Sequence, residues 1–241
     1  MNVAIGWSLA GVLVALTAAA AVVVRLGGLG PWHPVATAAA RAVLQLAAVS
    51  LIIVLVLRNG WLTAGFVLLM FGIATMTSAR RAGGPWTGAA IASGVAPVLG
   101  LLLATRLVPT APVAIIPIAG ILIGGAMTAT SLAGRRALDD LKSRHGEYEA
   151  ALALGLTTPD AARLIIRPTA GQALVPVMDQ TRTVGLVTLP GTFVGILLGG
   201  GTPLQAGATQ LLVLIALLAI EAIAVLVTVE LVAAGKLRKA E

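Results

Sequence analysis

The sequence predicts an all-α fold, a polytopic membrane bundle of about seven transmembrane helices. Three observations predict it. Mean hydropathy is +1.03 and 59% of the residues are hydrophobic. Only 10% are charged, against about 25% in a soluble domain, whose surface must face water. Apolar stretches of about 20 residues, long enough to cross the hydrocarbon core as helices, recur along the chain. Aromatic residues are only 3%, so the apolar content is Ala, Val, Leu, Ile and Gly, the small-residue alphabet of membrane helices.

The spans follow in order. The first, about 3–24, has no Lys or Arg before it and exceeds the roughly 7–15 apolar residues of a signal peptide, so it is expected to be retained. Gly27, Gly28, Gly30 and Pro31 separate it from a second span at about 35–57, and Asn59-Gly60 precedes a third at about 61–79. Gly83, Gly84 and Pro85 introduce the fourth, about 87–105; Pro109 and Pro112 introduce the fifth, about 113–133. Residues 134–172 form the only long hydrophilic stretch and hold most of the acidic residues. A sixth span at about 173–198 and a seventh at about 204–233 are divided by Gly199 to Pro203. No second domain or linker is visible, so residues 1–241 are expected to form a single transmembrane domain.

Alternate loops carry Arg25, then Arg80 and Arg81, then Arg135, Arg136, Lys142, Arg144, Arg163 and Arg167, then Lys236, Arg238 and Lys239; the opposite set carries only Arg58 and Arg106. Because cytoplasmic loops hold the Lys/Arg excess, this predicts an outside N-terminus and a cytoplasmic C-terminus, which needs an odd number of spans. The net charge of +7 therefore reports topology in the plasma (cytoplasmic) membrane, not nucleic-acid binding. The absence of cysteine excludes disulfides and thiolate metal sites. There is no phosphate-binding loop of the G-x-x-x-x-G-K-[ST] type and no H-E-x-x-H. The two histidines, His33 and His145, lie in separate loops, and Asp139-Asp140 has no second acidic partner at enzymatic spacing. An integral membrane enzyme is not expected, nor a cofactor in this chain.

The hydrophilic stretch has internal order. Glu147 to Leu154 suits about two helical turns, and Gly155 suits a helix stop because it tolerates left-handed dihedrals. Thr158, Pro159 and Asp160 then read as N-cap, first-turn proline and first-turn acid of a second short helix. Glu149, Ala150, Ala151, Gly155, Ile165 and Pro168 fall at the spacings of the EAA loop, which this segment resembles. That loop couples the membrane subunits of ABC transporters to their ATPase. Arg167 stands where the pattern usually has Leu.

The resemblance extends further. Pro117-Ile118-Ala119-Gly120 with Gly124 and Met127, Val175-Pro176-Val177-Met178-Asp179, and Thr183 through Gly191 resemble the FetB/YbbM-type iron-export permease family, as do Arg41 and Gln45. The likeness runs from about Arg41 to the last span and is densest from 115 to 195. It implies a permease that forms a homodimer and pairs with a separate ABC ATPase subunit, which would hold ATP and Mg. Members of the family are linked to iron export and plant relatives to aluminium tolerance. The function expected is thus the membrane-spanning permease of an exporter of metal ions; the alternative is a stand-alone structural or channel-like membrane protein with no ATPase.

Polar residues inside spans cost roughly 2.5–3.5 kcal/mol at mid-helix on insertion scales, so each needs a reason. Asp179 and Arg182, three apart, share a helix face. Glu221 falls near the middle of the last span, and Glu230 near its end, where it is expected to be solvated. Asp179, Arg182 and Glu221, with Gln45, Met127 and Met178, are the candidates for a translocation path, although no arrangement has firm metal-ligand spacing. Gly120 with Gly124, and Gly191 with Gly195, have the spacing of close helix packing. Leu189-Pro190-Gly191 is expected to break span six, as happens near substrate sites in transporters.

Overall fold

A computed structural model describes residues 6–238. Lys239 and the first residues of the span beginning near residue 3 lie outside the described residues. The chain divides into two compact units, Met1–Arg58 and Asn59–Glu241.

The first unit holds α1 (Trp7–Leu26) and α2 (His33–Arg58), packed on each other. Gly28 and Gly30 have positive φ in the connection, the reason glycine punctuates it. No residue of α1 is buried, and in α2 only Val56 is. Such bare apolar helices are at home only against lipid.

The second unit holds α3 (Gly60–Ala82), α4 (Thr87–Ala104), α5 (Pro112–Ser143), α6 (His145–Ala153), α7 (Thr158–Ala170), a 3-10 turn (Gly171–Leu174), α8 (Val175–Thr183), α9 (Gly191–Leu198) and α10 (Pro203–Ala233). Local chemistry sets the ends. Asn59 Oδ1 accepts from the Trp61 N–H at 2.9 Å to open α3, and Gly83 closes it in the left-handed conformation. Thr202 and Gln205 form a reciprocal capping box at the start of α10.

The core forms around α5 and α10. Ile91 and Val95 of α4, Ile118, Leu122 and Ala126 of α5, and Val213, Leu217 and Ile220 of α10 make one cluster. A second joins Ala133 and Ala137 of α5, Ile165 and Ile166 of α7, and Val225, Val229 and Val232 of α10. Two glycines allow the closest approaches. A Cβ on Gly94 would lie 2.6 Å from the Ile220 carbonyl oxygen, and one on Gly134 would lie 2.4 Å from the Ala82 Cβ. One turn away, the Ser78 and Ser131 hydroxyls share a hydrogen bond of 3.0 Å across α3 and α5.

Three expectations change. Among the described residues, six single helices are long and apolar enough to cross a membrane, α1 to α5 and α10, and the remaining expected span is not one continuous helix. The expected span at 173–198 is instead the 3-10 turn, α8, a non-helical stretch at 184–190 and α9. Eight residues of α9 rise only about 12 Å, well short of the bilayer core. The interruption is built by turn chemistry as well as by Pro190: Gly185 has φ 83°, its N–H donates to the Thr188 carbonyl at 2.9 Å, and the Val187 N–H donates back to Thr183. Second, the hydrophilic stretch does not begin with a loop, because α5 continues unbroken to Ser143. Third, the N-cap of α7 is Thr157 rather than Thr158: its hydroxyl accepts from the Asp160 N–H, so Thr158 and Pro159 occupy the first two helical positions.

Candidate functional site

Glu221 is the anomaly of α10. It is only 7% exposed, in a helix of Leu, Ile, Val and Ala, and it forms no hydrogen bond or ion pair among the described residues. The space for it comes from α5: a Cβ on Gly125 would lie 2.7 Å from Glu221 Oε1 and 2.6 Å from Leu217 Cδ2. Glu221 and Gly125 border a cleft of about 240 Å³ that also takes in Gly124 and Thr128 of α5 and Pro176, Val177 and Gln180 of α8. The Thr128 hydroxyl donates to the Gly124 carbonyl at 3.0 Å, which leaves its oxygen as an acceptor. The cleft thus offers a carboxylate, an amide and a hydroxyl on otherwise apolar walls. A buried carboxylate without a partner is costly enough to require a compensating ligand, a proton or a cation.

The remaining candidates fall elsewhere. Asp179 and Arg182 do pair across one face of α8, at 3.8 Å, but both side chains are mostly exposed. Met178 is half-buried on the same helix, outside the cleft lining. Met127 packs against the α3–α5 core and its carbonyl accepts from Ser78 at 3.1 Å. Gln45 is exposed on α2, in the other unit. Among the described residues, Gly124, Gly191 and Gly195 have no neighbour of the same chain where a Cβ would stand, and Gly120 meets only the Met70 methyl at 3.2 Å; Gly88, Gly94, Gly125 and Gly134 admit close packing within the chain.

The EAA-like residues form a hairpin of α6 and α7. Glu149 and Ala150 are exposed, with Glu149 3.4 Å from His145, while Ala151 and Ile165 are buried. Gly155 turns the chain with φ 91° and nothing within 4 Å of a Cβ, and Pro168 lies exposed within α7. The turn presents apolar side chains: Leu154 is 83% exposed, and Leu156 and Leu164 are exposed too. The base of the hairpin is held by charge. Arg163 and Arg167 both bind Glu230 of α10, at 2.9 and 2.8 Å, so Glu230 is a clamp and not the solvated group expected. The carboxylate of Glu230, then that of Asp160, pushes the Arg163 guanidinium above its ordinary pKa; Asp160 is held below the carboxylate range by the Thr157 hydroxyl and by Arg163. Arg144 ties the start of α6 to α7 by donating to the Ile165 carbonyl at 3.1 Å.

Glu230→Gln is expected to weaken both clamp bonds without unfolding the bundle. The partners are about a third or more exposed, so the loss should be only ~0.2–1 kcal/mol per pair. Hydrogen exchange should quicken over residues 158–170 and stay unchanged in the α3–α5 core.

Residues 7–235 match the model of the uncharacterised protein family UPF0014. The chain belongs to that family. A UPF0014 membrane protein of rice, STAR2, is 34% identical over 212 residues, covering 83% of this chain and 74% of its own length. The UPF0014 membrane protein slr1647 of Synechocystis is 30% identical over 88% of this chain and 86% of its own. The probable iron export permease protein FetB of Escherichia coli is 34% identical over 129 residues, about half of each chain. No solved structure matches. The likeness to the FetB-type family read from the motifs is borne out, and with six long apolar helices the UPF0014 chain is a multi-pass membrane protein.

Sequence reasoning named Glu221 but missed its surroundings. Gly125, Thr128 and Gln180 carry no motif of their own. A polar or absent side chain at the level of Glu221 was the available signal, and it needs the packing of α5, α8 and α10 to be read.

Proposed function

We propose that the chain is the permease subunit of an ATP-driven exporter of metal cations, with the α6–α7 side in the cytoplasm and the C-terminus inside. One observation carries the reading: α10 holds both ends of a transmission line. Glu230, clamped to α7, and Glu221, in the cleft, are nine residues apart on one helix, about 14 Å of rise. Force applied to the α6–α7 hairpin by a closing ABC ATPase therefore reaches the cleft through a rigid element. The exposed Leu154 and Leu156 at the hairpin turn suit burial in an apolar groove of that ATPase, where ATP and Mg would reside.

The cleft suits a cation in transit. Glu221 supplies the charge, with Gln180 and Thr128 as neutral oxygen donors. Among the described residues no three His, Cys, Asp or Glu side chains come together, so the donor set is that of a site that releases its ion. The name of the Escherichia coli relative supports an iron-like cargo. A second copy of the chain completes the path: the exposed Asp179–Arg182 pair on α8 is a polar face that a partner subunit would cover.

Gly155→Val tests the coupling. A β-branched residue is disfavoured at φ 91°, at a cost of about 1–2 kcal/mol confined to an exposed turn. The variant should insert normally and melt only a few degrees below wild type. In proteoliposomes with the ATPase it should hydrolyse ATP without metal flux. Unchanged flux would remove the hairpin from the mechanism. Flux through the wild-type chain alone, without ATPase or ATP, would favour the channel-like alternative.

A further inference from the structure

We propose that a recess between the end of α3 and the C-terminal part of α5 binds a phosphate group, carried by an anionic phospholipid or by free phosphate. Arg80 and Arg81 lie in the last turn of α3, and with Arg135, Leu138 and Asp139 of α5 they line a cavity of about 260 Å³. Three guanidiniums against one carboxylate leave an excess of positive charge. Among the described residues none of the three arginines forms an ion pair; their side chains make one weak bond, from Arg80 to the Met76 sulfur at 3.8 Å. Arg144, Arg163 and Arg167, a short way along the chain, are all paired with carboxylates. Those three are held by carboxylates, whereas Arg80, Arg81 and Arg135 border open space together. Planar guanidinium forks match the oxygens of phosphate and bind it in pairs, which a single carboxylate ligand would not require.

Depth points to a headgroup as the principal source. Arg135 is 23 residues beyond Pro112, so α5 has risen about 35 Å by that point, the thickness of the hydrocarbon core and the start of the polar zone. A second marker agrees. Trp86, exposed in the α3–α4 turn that follows Arg81, carries the Lys236 ammonium 4.4 Å above its ring. Tryptophan with lysine is the side-chain pair found at the membrane–water interface. Basic pockets between helix ends at that level are where anionic headgroups bind.

The test is native mass spectrometry of the detergent-purified chain titrated with phosphatidylglycerol or with phosphatidylcholine, beside calorimetric titration of the delipidated chain with inorganic phosphate. Wild type is expected to retain phosphatidylglycerol and not phosphatidylcholine. A variant with Arg80→Gln, Arg81→Gln and Arg135→Gln should bind it on the order of a hundredfold more weakly, at about 1 kcal/mol per arginine. Loss of the same formal charge through Arg25→Gln, Arg106→Gln and Lys142→Gln should leave binding unchanged. Phosphate binding that the triple variant loses, with no preference between the lipids, would assign the recess to the free ion. Equal retention of the two lipids by wild type, together with no phosphate binding, would overturn the proposal, and this arm needs no variant to fold. Equal weakening by both variant sets would overturn it as well, since the effect would then be one of net charge alone.

Discussion

If the chain exports metal as proposed, Glu221→Gln is expected to abolish that export while leaving the protein inserted and at least as heat-stable as wild type. The carboxylate is 7% exposed and unpartnered, so in the empty state its desolvation opposes folding. Removing the charge relieves that cost, and an apolar replacement of similar size, Glu221→Met, should stabilise the bundle by ~1–3 kcal/mol. Transport moves the other way. Gln180 and Thr128 are neutral, so without Glu221 nothing in the cleft compensates a cation stripped of water. The loss should exceed tenfold by a wide margin, because about 1.4 kcal/mol of lost cation affinity already gives a factor of ten. Metal efflux from loaded cells and melting in detergent are the two readouts. A variant that melts earlier and still exports would mark Glu221 as a structural residue.

Gly134→Leu is expected to prevent the bundle from forming. α3 and α5 touch backbone to backbone at this point, where even a Cβ would stand 2.4 Å from the Ala82 Cβ. Neither helix can retreat easily. Ala82 is fully buried, and the turn after it is pinned by the Arg238 N–H donating to the Gly83 carbonyl at 3.0 Å. A Cβ on Gly83 would itself lie 2.2 Å from the Arg238 carbonyl oxygen. Overpacking by a single methyl costs typically ~1–3 kcal/mol, and an isobutyl group several times that. Gly134→Ala gives a graded test. It should lower the melting temperature, and Ala82→Gly in the same chain should recover part of the loss, because that change removes the nearest atom. Full stability of Gly134→Ala by itself would contradict the packing of α3 on α5.

The long helices were legible because lipid imposes a simple requirement, an unbroken apolar run of about 20 residues, and Gly/Pro punctuation marks where each stops. In the segment 173–198 the break at Pro190-Gly191 was legible, but its extent was not, because hydropathy counts residues and not backbone geometry. Its apolar content is that of a span, yet Gly185, Thr188 and Pro190 close a turn inside it. Glu221 stood out as a lone acid in an apolar helix, whereas Gly125 became meaningful only when α5 met α10. Glycine spacing alone selected Gly191 and Gly195, which pack on nothing within the chain, over Gly94 and Gly134, which do. Arg167, a departure from the EAA-like pattern, proved to be half of the clamp on Glu230, a pairing across 63 residues that no local spacing announces.

Docking of an ATPase on the α6–α7 hairpin is tested most directly by one engineered cysteine. The chain has no cysteine of its own, so Leu154→Cys places a single thiol at the exposed hairpin turn. Bifunctional cross-linking in native membranes should join this position to an ATP-binding-cassette ATPase, with a yield that changes on adding ATP, while a thiol in place of Trp61 at the start of α3 should give no such product. Labelling of the Leu154→Cys thiol from outside intact cells by a membrane-impermeant reagent, with no ATPase captured, would contradict the account.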